Sequence, residues 1–394
     1  MEIDIYLTPF ETENFNFKED VDKSRLANII KQYNKLGSYR EQQELKDFEI
    51  ALIGVPEDRR SLGNKGASEA PNHIRKYFYT LFSHWKNLKI VDLGNLSPGN
   101  TLEDTYFALK EVIAVLLENN ILPVILGGTQ DLTYANYIAY EKFNKIVNIT
   151  SVDSVFDLGR GHDELNTHSW LSKIILHQPN FLFNFTNIGY QTYYVNKESV
   201  QLMKELFFDA YRLGEVRAKL EEVEPMVRNA DILSFDISSV RQSDAPGCYY
   251  SGPNGFSGVE ACAISRYAGF SDKLSSIGFY GINPRYDNRG QTAHLAAQML
   301  WYFIDGYMNR IYDLPYLHND EYVKFNVTNE HADEDIVFLK SKKSGRWWMV
   351  IKPSNIDSNI YRPHQFIPCT YDDYKQALKN EIPDRWWKAQ QKLM

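Results

Sequence analysis

The chain has 394 residues, of which 43% are hydrophobic and 24% charged, which is enough for one large α/β domain with additions or for two domains. Its net charge of −8 and the lack of a basic tract argue against nucleic acid or an anionic membrane as the main partner. It shows no secretory signal, no apolar run long enough to span a membrane and only three cysteines, so we expect a cytoplasmic protein.

The predicted elements alternate between strand and helix along most of the chain. Residues 1–47 are polar and are interpreted as an N-terminal extension, with a helix predicted at 23–36. From residue 48, short apolar runs alternate with helical segments, which is typical of βαβ units. We therefore predict a three-layer αβα domain at 48–312 with a mostly parallel central sheet. The predicted strands are 48–55, 88–93, 121–126, 146–152, 181–188, 232–237 and 276–282. The predicted helices are 70–82, 102–119, 132–140, 194–206, 213–229, 258–268 and 290–308.

The pattern changes after about residue 314, and residues 313–394 are interpreted as a small β-rich C-terminal addition. This region contains two tryptophan pairs, Trp347-Trp348 and Trp386-Trp387. Such pairs either pack a core or form a partner surface, so the two terminal additions are where we expect any protein partner to bind. The strands predicted here are 322–327, 336–341 and 347–351, and a helix is predicted near 371–381.

Acidic side chains lie where two predicted strands end. Asp153 and Asp157 follow the strand at 146–152, and Asp236 lies at the end of the strand at 232–237. Ligand sites of parallel sheets lie at the carboxyl ends of the strands, and converging carboxylates suit a hard cation. The alternative is that these acids only cap the helices that follow them.

Four short segments then occur in a characteristic order between residues 48 and 309. They are Ile53-Gly54-Val55-Pro56, Leu126-Gly127-Gly128-Thr129-Gln130-Asp131, Asp153-Ser154-Val155-Phe156-Asp157, and Ser234-Phe235-Asp236-Ile237-Ser238. Together they resemble the ureohydrolase family, which includes arginase, agmatinase and formimidoylglutamase. The resemblance is nearest to formimidoylglutamase-like proteins, and it implies an arginase-like fold. The two terminal segments lie outside it.

The resemblance also implies a metal site. Members of the family hold two Mn²⁺ ions with six side chains, and a hydroxide between the ions attacks a guanidinium or formimino carbon. In this chain the corresponding positions are Gln130, Asp153, Val155, Asp157, Asp236 and Ser238. Both histidines and one aspartate of the family pattern are therefore replaced.

From these replacements we expect either no metal or a single divalent cation. Gln130, Asp153, Asp157 and Asp236 would form an all-oxygen set that suits Mg²⁺, Ca²⁺ or Mn²⁺. Because Val155 and Ser238 are poor ligands, a dinuclear manganese site is not expected.

Two further residues match catalytic positions of the family. His168 corresponds to a loop histidine that moves protons or contacts substrate, and Glu260 to an acid that binds the cationic nitrogen of the substrate. The alternatives are a surface histidine and a glutamate that stabilises a helix start. Arg241 could neutralise the aspartates in place of a metal, or it could lie in a solvated loop.

Three functions follow from this reading. The first is a pseudoenzyme: a ureohydrolase-fold protein with a degraded manganese site that binds or scaffolds other molecules. The second is a metal-dependent hydrolase of C–N bonds in formimidoylglutamate or a guanidino compound. The third is a small-molecule sensor that keeps the pocket without the chemistry. The resemblance also allows a homo-oligomer.

Overall fold

The computed structural model describes residues 3–10, 22–33, 45–159, 164–317, 319–332, 334–352 and 361–393. The last three residues of the N-terminal helix predicted at 23–36, residues 34–36, lie outside the described residues. Within the described part, only the four residues Leu26–Ile29 are helical, and Lys31–Gln32 forms a strand instead. Among the described helices, none is both long enough and apolar enough to cross a bilayer.

A ten-stranded sheet forms the centre of the molecule. All seven strands predicted for the α/β domain are present, together with three short strands that were not predicted. In chain order the strands are β1 (Leu7–Thr8), β2 (Lys31–Gln32), β3 (Ile50–Gly54), β4 (Ile90–Leu96), β5 (Leu122–Leu126), β6 (Val147–Val152), β7 (Leu182–Tyr190), β8 (Asp209–Arg212), β9 (Ile232–Asp236) and β10 (Ser276–Tyr280).

The order across the sheet is β1-β4-β3-β5-β10-β9-β6-β7-β8, and β2 also pairs with β4. Every pairing is parallel except that of β1 with β4, which confirms the predicted mostly parallel sheet. Because β1 and β2 belong to residues 1–47, the N-terminal extension continues the central sheet rather than standing apart from it. The domain boundaries at 47 and 312 stay a prediction.

Helices cover both faces of the central sheet, except the last two of the chain, which pack within the C-terminal addition. They are α1 (Leu26–Ile29), α2 (Ala70–Phe78), α3 (Leu102–Glu118), α4 (Leu132–Ile138), α5 (Trp170–Ile175), α6 (Lys197–Glu205), α7 (Leu213–Ala218), α8 (Val223–Arg228), α9 (Gly258–Gly269), α10 (Gln291–Met308), α11 (Tyr371–Leu378) and α12 (Asp384–Leu393).

The alternation of side chains along β3 shows how the layers form. Ile50 and Leu52 join the core cluster that contains residues of α2, α9 and α10, whereas Ala51 and Ile53 join the cluster that contains residues of α3 and α4. Successive side chains of a strand point to opposite faces, so a strand that is apolar throughout is buried on both sides. The predicted three-layer αβα architecture is confirmed.

The helix predicted at 213–229 is wrong in one respect. The chain forms two helices there, α7 and α8, because Lys219 leaves the helical region with φ −146° and ψ 68°. Pro225 then occupies the third position of α8. Proline lacks an N–H group and fits only the first turn of a helix, so a new helix has to begin just before it.

The C-terminal addition is a four-stranded antiparallel sheet in the order β11-β12-β13-β14. The fourth strand and α12 were not predicted. Arg228 of α8 joins this addition to the main domain: it is 3% exposed, and its guanidinium donates to the carbonyl oxygen of Trp347 at 3.2 Å. The strands are β11 (Tyr322–Val327), β12 (Ile336–Ser341), β13 (Trp347–Val350) and β14 (Phe366–Cys369).

Candidate active site

A cavity of about 290 Å³ lies at the carboxyl ends of the central strands. Strands β6 and β9 are parallel neighbours, with Val152 opposite Phe235. Asp153 and Asp236 are the next residues of the two strands, so they lie side by side at the carboxyl end of the sheet. The loop after β5 brings Gln130 to this end, and Gly281 follows β10. This is the place where parallel sheets bind ligands. The five predicted residues Gln130, Asp153, Asp157, His168 and Asp236 all line the cavity.

Asp153 is the carboxylate of the site whose negative charge is least compensated by its surroundings. It is 1% exposed, its Oδ1 accepts from the backbone N–H of Val155 at 3.1 Å, and its Oδ2 is buried with no hydrogen-bond partner. Burial first, and then the charges of Asp157 and Asp236, raise the pKa of Asp153 well above its ordinary value. A positive charge is therefore the missing component of this environment.

Asp236 and Asp157 differ in how their oxygens are satisfied. Asp236 Oδ1 accepts from the N–H of Ser238 at 2.7 Å, and burial raises the pKa of Asp236 to about 6. Asp157 uses both oxygens: His168 Nδ1 lies 3.0 Å from Oδ1, and Trp170 Nε1 donates to Oδ2 at 3.0 Å. Asp157 also has a left-handed backbone, with φ 51°, which turns its side chain at the start of the loop.

His168 stands at the mouth of the cavity. Its side chain is 37% exposed, and its ring meets the ring of Tyr250 edge-on at 4.7 Å between centroids. Burial acts to lower the pKa of His168, but the hydrogen bond to Asp157 and the charges of Asp157 and Asp236 outweigh it and raise the pKa. A protonated His168 therefore supplies positive charge to the carboxylates.

Gln130 is buried below the carboxylates, at 2% exposure. Its Nε2 donates to Ser151 Oγ and to Ser234 Oγ, each at 3.1 Å, which binds the side chain to β6 and β9. Only its amide oxygen is then suited to a cation. Ser238, in turn, has its hydroxyl 3.5 Å from that of Ser154.

Two residues from the sequence analysis do not reach the cavity. Glu260 is the third residue of α9 and forms a capping box with Ser257, while its Oε1 pairs with Arg217 at 3.0 Å. This is the helix-start role that was the alternative for Glu260. Arg241 pairs with Asp244 at 2.8 Å, and its side chain is 41% exposed. Neither residue is among those that line the cavity.

Some residues of the site had no signal in the sequence. Trp170 begins α5 two residues after His168, and nothing in the sequence indicated that it donates to a carboxylate of the site. Tyr194, at the end of a short 3-10 helix, and Tyr250, in a turn, form aromatic parts of the wall. Such tyrosines are common, so composition alone could not single out these two.

The sequence profile of the Arginase family matches residues 48–305 of the chain. This chain belongs to the arginase family. Curated relatives of this arginase-family chain are formimidoylglutamases. That of Bacillus subtilis (strain 168) is 23% identical over 320 residues, which cover 76% of this chain and 97% of the relative. That of Geobacillus kaustophilus (strain HTA426) is 25% identical over 261 residues, which cover 63% and 80%.

Solved structures agree on the fold of this arginase-family chain. The Trypanosoma cruzi formiminoglutamase superposes with a TM-score of 0.65 at 24% identity and covers 73% of this chain and 100% of its own. The Bacillus subtilis formimidoylglutamase gives 0.65 at 19% identity and covers 76% and 99%. The family match itself stops at residue 305, before the C-terminal addition.

These comparisons correct the expectation about the metal. We expected no metal or a single cation and no dinuclear manganese site, but the Trypanosoma cruzi relative was crystallised with Mn2+2, a dinuclear manganese centre. Among the described residues, no group of three or more His, Cys, Asp or Glu side chains is arranged to hold a metal ion. The carboxylates still offer hard oxygen donors, and Asp153 Oδ2 has no hydrogen-bond partner. Asp153 and Asp236 are the residues that would hold a divalent cation, which would lower the pKa of a bound water molecule. Asp157 has both oxygens in hydrogen bonds to His168 and Trp170.

Proposed function

We propose that this arginase-family chain is a pseudoenzyme: a protein that binds ligands or partners through a ureohydrolase fold and does not hydrolyse C–N bonds at enzymatic rates. The observation that carries the proposal is the hydrogen bonding of Asp157. Both of its oxygens are engaged by donors from the same chain, His168 and Trp170. A carboxylate in this state is held in a fixed hydrogen-bond network and must exchange partners before it can act on a bound substrate.

The replaced positions support the same proposal. Gln130, Val155 and Ser238 occupy positions where the family resemblance places two histidines and an aspartate. Manganese at this site would receive fewer anionic and imidazole ligands from the protein, and hydrolysis depends on how firmly the metals hold the attacking hydroxide. Asp157 and Asp236 raise the pKa of His168, and His168 in its protonated form supplies part of the positive charge that the carboxylates require.

The second candidate is a metal-dependent hydrolase of formimidoylglutamate or of a guanidino compound. What favours it is the survival of three carboxylates around one cavity, together with the formimidoylglutamases among the relatives. The cavity volume of about 290 Å³ suits a small substrate at the lower end of the usual range for ligand pockets.

An assay of turnover separates the two. The protein is purified in buffer with Mn²⁺, and release of formamide from formimidoylglutamate and of urea from arginine and agmatine is measured. We expect no release above the background without protein. Turnover of about 1 s⁻¹ or faster, in the ordinary range for enzymes, would establish the hydrolase instead.

The combined substitution Gln130→His, Val155→His and Ser238→Asp is the matched positive control. It rebuilds the ligand types of the family on an otherwise unchanged scaffold, so we expect it to gain activity that the natural chain lacks. A folded triple variant as active as the natural chain, with both well above background, would count against the pseudoenzyme.

The scaffolding part of the proposal places a protein partner at the terminal additions, in the cytoplasm. Its support is Trp387 of α12, whose side chain is 43% exposed and contacts Phe207 at 5.5 Å between ring centroids. Exposed tryptophans are unusually frequent at the centres of protein interfaces. The same surface could pair copies of this chain, so a homo-oligomer is the other form that this part of the proposal takes.

A further inference from the structure

A second cavity, of about 600 Å³, lies at the amino ends of the central strands, opposite the end that carries the carboxylates. We call it the basal cavity. It opens where the central strands begin: Asp231 precedes β9, Lys145 precedes β6 and Lys273 precedes β10. Its volume is in the range of pockets that bind small molecules. The proposed function at the carboxyl ends of the strands makes no use of it.

The charges of the basal cavity are unbalanced. Asp231 stands between two ammonium groups, with Lys145 Nζ at 3.0 Å and Lys273 Nζ at 3.4 Å. The side chain of Lys273 is only 6% exposed. One carboxylate is shared between two ammonium groups. The side chain of Lys145 is 43% exposed, so it is the ammonium group of the pair that a further anion can approach.

Arg310 adds a third cation, and Asp272 a second anion, to the same wall. The guanidinium of Arg310 donates to the carbonyl oxygens of Gly269 and Leu274, each at 3.0 Å, and lies 4.3 Å from the ring centre of Tyr307. These contacts hold Arg310 in place without neutralising it. With all five groups ionised, the lining carries a net charge of +1.

His364 does not change this balance. Its ring nitrogen Nε2 lies 3.2 Å from the carbonyl oxygen of Ile146, and burial together with nearby Lys273 lowers its pKa to about 3. His364 is therefore neutral at physiological pH. Its contact with Ile146 joins the C-terminal addition to the start of strand β6.

Aromatic rings form the remaining wall. The ring of Tyr140 lies 5.4 Å from the ammonium group of Lys145. Because Lys145 covers this ring, Tyr140 is not free to stack on a ligand. Phe143 is 36% exposed, and Tyr316 is half-buried in the segment that follows the main domain. Both line the cavity and present ring surface on which a planar group can stack.

We propose that the basal cavity binds a small organic anion of the nucleoside monophosphate class, with its phosphate at Lys145 and Lys273 and its planar ring against Phe143 and Tyr316. Lysine is a common phosphate ligand, and aromatic rings stack on any base. The family match ends at residue 305, whereas Arg310, Tyr316 and His364 follow it. The site therefore combines the arginase-family domain with residues that lie beyond the family match.

Isothermal titration of the full chain with adenosine monophosphate tests the proposal, with adenosine and inorganic phosphate as separate arms. We expect one site per chain, and binding of each fragment about tenfold weaker or worse, because each lacks one of the two contacts. No heat from adenosine monophosphate would overturn the proposal. Equal affinity for phosphate alone would overturn the part that assigns the ring.

Variants locate the site. Lys145→Met should weaken binding about tenfold or more through loss of a charge-assisted contact, while Lys273 still holds Asp231 so that the fold is kept. Lys352→Met is the matched control, since Lys352 pairs with Glu334 on the surface and does not line the cavity. Tyr316→Ala is a second variant that should weaken binding of adenosine monophosphate while leaving the charges of the cavity unchanged. Unchanged affinity in both Lys145→Met and Tyr316→Ala would contradict the assignment.

Discussion

His168 and Asp157 form the central polar contact of the candidate active site, with 3.0 Å between Nδ1 and Oδ1. The contact places a titratable group beside Asp153 and Asp236, whose pKa values are raised by burial and by neighbouring carboxylates. It also links the mouth of the cavity to its floor, because Trp170 donates to the other oxygen of Asp157. The stability of this part of the molecule should consequently depend on pH.

The change His168→Gln should lower stability mainly at low pH. The pKa of His168 is raised in the folded protein, so its stabilising charge is fully present below its ordinary pKa of about 6.5 and is lost as pH rises through the raised value. We expect a loss of about 1 kcal/mol near pH 6 that shrinks toward pH 9, measured by urea unfolding in EDTA. His73→Gln, at an exposed position of α2, is the control and should show no such trend.

Asp236→Asn should stabilise the metal-free protein at neutral pH. Burial raises the pKa of Asp236 to about 6 from an ordinary value of 3.8, so the natural chain loses stability as pH rises from about 4 to about 6. Asparagine removes that loss and can still accept from the N–H of Ser238. A gain on the order of 1–3 kcal/mol at pH 7 is expected in EDTA.

Asp244→Asn is the control of opposite sign for the Asp236 experiment. Burial opposes ionisation of Asp244, but Arg241 and the N–H of Gly258 lower its pKa overall. Its contribution is present at neutral pH and is lost as pH falls, so this change should destabilise at pH 7 and have little effect in acid. Parallel pH curves for the natural chain and Asp236→Asn would contradict the assignment of a raised pKa.

Arg228→Met should detach the C-terminal addition. Arg228 is buried, pairs with Glu224 at 3.0 Å and donates to the carbonyl oxygen of Trp347. Its removal leaves buried acceptors without a donor, which costs about 2–4 kcal/mol. We expect a lower melting temperature and faster proteolysis after residue 312. Arg217→Met removes a surface ion pair with Glu260 and should change stability by less than about 1 kcal/mol.

The neighbouring tryptophans of α12 should respond differently to alanine. Trp386 is 7% exposed and belongs to the core cluster of the addition, so Trp386→Ala should destabilise by about 3–5 kcal/mol. Trp387→Ala should leave the melting temperature nearly unchanged, and it should weaken co-purification of a partner or self-association by light scattering. If Trp387→Ala unfolds the protein, the exposed ring is part of the packing and the proposed partner surface is wrong.

Much of the core was predictable because its signals are local. The runs at 146–152 and 232–237 are short, apolar and followed by acids, which indicates buried strands in a parallel sheet. The strands that escaped prediction, such as Leu7–Thr8 and Asp209–Arg212, have only two and four residues. Such short strands form because the edge of an existing sheet offers free hydrogen-bonding groups, and no local pattern reports that edge.

By itself, the sequence determined that Asp153, Asp157 and Asp236 meet at the carboxyl ends of the strands in a three-layer αβα domain, because parallel strands end on the same side of the sheet. Only the tertiary structure decided that Trp170 and His168 engage Asp157 and that Glu260 caps a helix, since loop paths set hydrogen-bond partners. The tertiary structure also decided that the residues around Asp231 and those after residue 305 enclose a second cavity. The positions of strands along the chain follow from short-range pattern, whereas side-chain partners and cavities arise from packing between segments far apart in the chain.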